Sequence, residues 1–122
     1  VTVMDDTALD VAVLERLAAD LGDRAFVASL LVRFEGLLER RLHRIVASLR
    51  TDDAVSAMDA TLSLKSSAAT IGARELLDLA VVIEHDVRRG DLARALAELP
   101  RLHDAAHRCR RALADYLGRG ER

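Results

Sequence analysis

Four histidines, one cysteine and a single lysine are the residues of this 122-residue chain from which chemistry would most readily be built. His103 and His107 stand one helical turn apart, with Cys109 close behind. Two imidazoles at that spacing can begin a metal site, and a thiolate is a good zinc ligand. No further acidic or cysteine ligand accompanies them at a suitable spacing, so no metal is expected and solvent-facing or half-buried histidines are the preferred reading. His43 and His85 are isolated histidines in amphipathic segments. Cys109 has no partner for an intrachain disulfide, which fits a reducing compartment, and is expected to be an inert, partly buried thiol. No phosphate-cradling glycine loop, nucleophile triad or paired carboxylates stand out, and no cofactor is expected.

The lysine is the more informative residue. Seventeen of the eighteen basic residues are arginine; the exception, Lys65, falls inside the unusual segment Ala60–Ala73, A-T-L-S-L-K-S-S-A-A-T-I-G-A. At 100° per residue, Ala57, Thr61, Leu64, Ala68 and Ile71 fall within about 80° of arc, a small apolar stripe suited to close helix packing. Leu62 lies roughly 150° from the centre of that stripe. Val55, Met58, Lys65, Ser66 and Ala69 fall around it, forming a second, partly apolar ridge. Periodicity alone leaves two readings: a helix buried on two sides with Leu62 in ordinary core, or an exposed Leu62 forming an apolar docking spot.

Helices must position this segment. Leu and Ala dominate, both favouring helix, and the only aromatics are Phe26, Phe34 and Tyr116. One proline and six glycines argue further against a β-sandwich. Five helical stretches are predicted, at about 10–21, 23–50, 53–71, 73–89 and 92–117. Gly22 and Gly72 end the first and third, Asp23 and Asp53 cap the second and third, and Gly90-Asp91 precedes the fifth. The long second stretch offers Phe26, Leu30 and Phe34, or Val27 and Leu31, then Leu37, Leu38, Leu42, Ile45 and Leu49 as its apolar stripe. Pro100 should kink or split the last stretch. Short connections imply antiparallel neighbours and an up-down bundle.

The length suits a single domain, 1–122, with its bundle core at about 9–117. The net charge of −2 makes nucleic-acid binding unlikely as a general activity. The charge is uneven: residues 1–22 are net acidic, and 23–51 and 101–122 net basic. No apolar run reaches the ~18–20 residues that span a bilayer. The first residues, V-T-V-M-D-D, lack the charged-then-apolar pattern of a signal peptide. A soluble cytoplasmic protein with no membrane association is expected, as a monomer rather than a dimer.

The segment around Lys65 resembles the signature helix of the histidine-containing phosphotransfer (HPt) domain, whose pattern is H-x-L-K-G-S, then small residues, an apolar residue, Gly and Ala. Leu64, Lys65, Ser67, Ile71, Gly72 and Ala73 match; Leu62 stands in place of the histidine and Ser66 in place of the glycine. L-G-D-R-A-F-V-A-S-L-L-V-R-F at 21–34 is similar to the family's opening of the long second helix, and Asp53-Ala54 precede the motif at the usual distance. Residues 76–84 and 88–92 resemble the fourth helix and the turn after it, so the resemblance spans about residues 9–117.

The resemblance implies an all-α, up-down four-helix bundle with a short additional N-terminal helix, in a bacterial two-component phosphorelay. In that family the histidine accepts a phosphoryl group from one response-regulator aspartate and passes it to another. The lysine pairs with phosphoryl oxygens and the glycine leaves room for the regulator. Leu62 has no nucleophilic atom, and phosphoryl transfer requires one in line, so no catalytic residue is assigned. Ser63 points elsewhere round the helix, and Thr61 lies on the core stripe. The expectation is therefore a pseudo-HPt module that binds a response-regulator receiver domain or a histidine kinase without carrying phosphate. Its contact surface would be Met58, Leu62, Lys65, Ser66 and Ala69. One alternative is a working phosphotransfer protein using His43 or His85, although neither is flanked by the Lys and small residues that an aspartyl phosphate needs. The other is a structural or oligomerising bundle with an unrelated partner.

Overall fold

Aspartates start four of the helices. Asp10, Asp23, Asp53 and Asp91 each accept a backbone N–H of the following first turn, from Ala12, Phe26, Ser56 and Arg94 respectively, at 2.9–3.1 Å. Each such bond satisfies a donor that the helix itself leaves open, worth about 1 kcal/mol. At Asp53 the bonds from Ser56 also hold the carboxyl below its ordinary pKa.

The computed structural model describes residues 8–120, and the opening V-T-V-M-D-D lies outside them. Six helices follow: α1 Val11–Leu21, α2 Arg24–Arg50, α3 Ala54–Ile71, α4 Arg74–Arg88, α5 Leu92–Ala97 and α6 Leu99–Gly120. The first four agree with the sequence expectation to within a residue at each end. The fifth stretch is split. Pro100 is the second residue of α6, a first-turn position where its missing N–H forgoes no helical bond.

Helices α2, α3, α4 and α6 form the all-α bundle, α2 packing on α3, α3 on α4, α4 on α6 and α6 back on α2. The short turns Thr51–Asp53 and Gly72–Ala73 reverse the chain, so neighbours run antiparallel. Cross-helix ion pairs mark the same register: Arg44–Asp59 at 3.0 Å, Arg108–Glu75 at 2.8 Å and Arg110–Glu39 at 3.2 Å. Helix α1 is the short additional helix. It rests on α2 through Leu14 and Ala18, and the Tyr116 hydroxyl of α6 donates to Glu15 at 3.2 Å.

The core is aliphatic. In α2 it takes Val27, Leu31, Phe34, Leu38, Leu42, Ile45 and Leu49, spaced regularly by three and four residues. This settles the choice the sequence left open. Phe26 is turned outward, 48% exposed, and Leu30 and Leu37 are half-buried at the stripe's edge.

Gly72 does more than end α3. Its φ of 79° is left-handed, and a Cβ there would lie 3.0 Å from both the Asp10 carbonyl oxygen and the Val13 Cβ. Its own carbonyl accepts the Asp10 N–H at 2.7 Å. The residue thus clamps α1 against the α3–α4 turn, where only glycine fits. Gly72→Ala is expected to cost about 1–3 kcal/mol, from the strained φ and the contact with backbone. A urea unfolding curve measures this directly.

Candidate partner-docking site on the third helix

Helix α3 owes its placement to the small residues of its inner stripe. Ala57, Thr61, Leu64, Ala68 and Ile71 are all buried, as the periodicity predicts, and Ala60 joins them. The Thr61 hydroxyl, inside this stripe, donates to the Ala57 carbonyl at 2.7 Å and is closed to solvent. With that stripe committed to the core, the opposite side of α3 is left facing outward.

Leu62 lies on this outer side and is 38% exposed. The reading of Leu62 as ordinary core is therefore corrected: among the described residues α2 and α4 flank α3, and Leu62 is partly covered but open to solvent. Ser66 and Ala69 are exposed beside it. Val55, near the start of α3 and also exposed, stands two turns from Leu62 and outside this close group. Met58 and Lys65 are half-buried. Met58 packs against the core cluster, so it borders the exposed spot rather than standing free in it.

Lys65 is the electrostatic feature of the site. Its ammonium donates to Glu84 Oε1 of α4 at 2.7 Å, and Arg88 donates to Glu84 Oε2 at 3.0 Å from one turn further along α4. Glu84 is nearly buried, and the hydrogen bond from Lys65, ahead of the added charge of Lys65 and Arg88, holds its carboxyl below the ordinary value of 4.5. A carboxyl whose pKa falls on folding stabilises the fold above its unfolded pKa and loses that contribution as pH drops through the folded value. Lys65→Met is therefore expected to lower stability most at neutral pH. Its deficit relative to the parent should shrink as pH falls below 4.5, which urea midpoints measured across that range would show.

Sequence reasoning missed this arrangement. The Glu84–Arg88 spacing of four was visible, but its pairing with Lys65 depends on the register of α3 against α4. The same antiparallel register, with Lys65 opposite Glu84, brings Val81 near the level of Ala69. Val81, on the Glu84 side of α4, is 45% exposed, so α4 adds apolar surface that the expected contact set did not include.

The other candidates are scattered. His43 and His85 are exposed on α2 and α4. His103 and His107 are exposed on α6, whereas Cys109 points into the core, its thiol pushed up to about 12 by burial. Among the described residues no three His, Cys, Asp or Glu side chains come together in a way that would hold a metal ion. No helix among them is long and apolar enough to cross a membrane.

Bundle, short first helix and outward-facing third-helix segment together define an HPt-like fold. Among solved structures, the chain is similar to the histidine-containing phosphotransfer protein B (HptB) from Pseudomonas aeruginosa PAO1, with a TM-score of 0.83 and 28% sequence identity over 92% of this chain and 96% of that one. No family model matches the chain, and no curated protein matches it.

Proposed function

We propose that this chain is a pseudo-HPt module of two-component phosphorelay signalling. It binds a response-regulator receiver domain, or a histidine kinase domain, through the outer face of α3 and accepts no phosphate at position 62. The observation that carries the reading is Leu62 itself: a half-covered leucine on the exposed side of α3, in the segment that resembles the phosphotransfer signature. Leucine offers no lone pair to a phosphoryl group, so the position can contribute contact but no chemistry. The likeness to HptB over nearly the whole of both chains supports the signalling class. Met58, Lys65, Ser66 and Ala69 complete the contact surface, and the reading carries a cytoplasmic, monomeric protein with it.

The test is incubation with a phosphorylated receiver domain, followed by an assay for acid-labile phosphate and a binding measurement. Binding without label on this chain is the expected result. Label on His43 or His85 would replace the proposal with a working relay. Absence of binding, with self-association that Leu62→Asp abolishes, would replace it with an oligomerising bundle. A Leu62→His, Ser66→Gly double variant asks whether the scaffold still supports the transfer once a nucleophile and room for the partner are supplied.

A further inference from the structure

A second feature lies between α2 and α3, on the side of α3 away from α4. There a cavity of about 160 Å³ opens, floored by Phe34 and Ile71 and edged by Arg33, Arg41, Ser67 and Thr70. The Arg41 guanidinium sits 5.9 Å from the Phe34 ring centroid, which fixes one wall. Among the described residues neither Arg33 nor Arg41 has a carboxylate within ion-pair distance, unlike the cross-helix arginines Arg44, Arg108 and Arg110. Partial burial, and then the like charge of Arg33, lower the pKa of Arg41. Two cations thus face a shared space with an apolar floor and no paired carboxylate.

We infer that this groove binds a small organic carboxylate with a compact apolar body. An anion placed there relieves the repulsion between the guanidiniums and accepts their paired N–H donors, a geometry carboxylates match. Its apolar body covers the half-buried Leu30 and Leu37 that also line the groove, above the buried Phe34 and Ile71, and the volume limits it to about the size of a single ring. The groove adjoins the docking face without including Leu62: Thr70, on its edge, donates to the Ser66 carbonyl at 3.0 Å, whereas Ser67 and Ile71 lie further round α3 on the side of α2.

The experiment is amide chemical-shift titration with benzoate, using benzyl alcohol as the uncharged control. Saturable shifts centred on Phe34, Arg41, Ser67 and Thr70 are expected, with binding weakened about tenfold or more for benzyl alcohol and for Arg41→Gln, as loss of a charge-assisted hydrogen bond implies. Far-UV circular dichroism of Arg33→Gln and Arg41→Gln establishes that each variant is folded. No saturable shift at these residues, or equal affinity in the folded Arg33→Gln, Arg41→Gln double variant, would overturn the inference. So would shifts produced by an acetylated Glu-Leu peptide and not by benzoate, since the groove would then receive a partner's acidic side chain.

Discussion

On the proposed function, Leu62→Asp is expected to weaken binding of a receiver domain by more than about a hundredfold, at a cost to the isolated chain of no more than about 1 kcal/mol. Full burial of a leucine contributes about 1.5–3 kcal/mol, but Leu62 already has most of its surface covered in the free protein. Removing the side chain in Leu62→Ala should therefore change affinity only about two- to fivefold. Aspartate differs in kind. It brings a carboxylate to a contact that would strip its water without supplying a partner, and an unpaired buried charge costs several kcal/mol. The comparison of the two variants by calorimetry is the decisive measurement. If Leu62→Asp binds as tightly as the parent, the contact surface does not centre on α3.

Leu64→Ala should show the opposite pattern. Leu64 is two residues along the same helix and has no exposed surface. Its truncation removes buried methyl groups and leaves a cavity between α3 and its neighbours, a change that costs about 2–5 kcal/mol. Against a typical domain stability of about 5–15 kcal/mol, that is a large share. Urea unfolding should show it as a lowered midpoint with little change in slope. Partner affinity, measured where the variant is still folded, should be close to the parent's. Two leucines in one turn of one helix thus separate adhesion from stability.

Much of this was legible in the residues. The inner stripe of α3 follows from the repeat of small and apolar residues, and each of its members is buried. The starts of α1, α2, α3 and α5 followed from Asp and the stops of α1 and α3 from Gly, because those residues meet local backbone needs that involve no distant contact. Pro100 marked a break in the last helical stretch for the same local reason.

Other features depended on what packs against what. The choice between Phe26 and Val27 as the inward residue of α2 was not decided by either residue's hydrophobicity. Packing on the other helices put Val27 inside and left Phe26 half in solvent. Met58 and Lys65 belong to the outer ridge on a helical wheel, yet both are half-buried, Met58 against the core and Lys65 against Glu84 of α4. The Lys65–Glu84 pair and the clamp of Gly72 on α1 join residues far apart in the chain.

By itself, the sequence determined the helices, the inner face of α3 and the lack of a nucleophile at position 62, since each rests on local periodicity or on the identity of one residue. Tertiary structure alone decided that Leu62 faces outward, that the lone lysine is held by a buried carboxylate, and that two arginines share a groove where no carboxylate among the described residues pairs with either. Those outcomes turn on the register between neighbouring helices, which side-chain packing across the whole bundle sets.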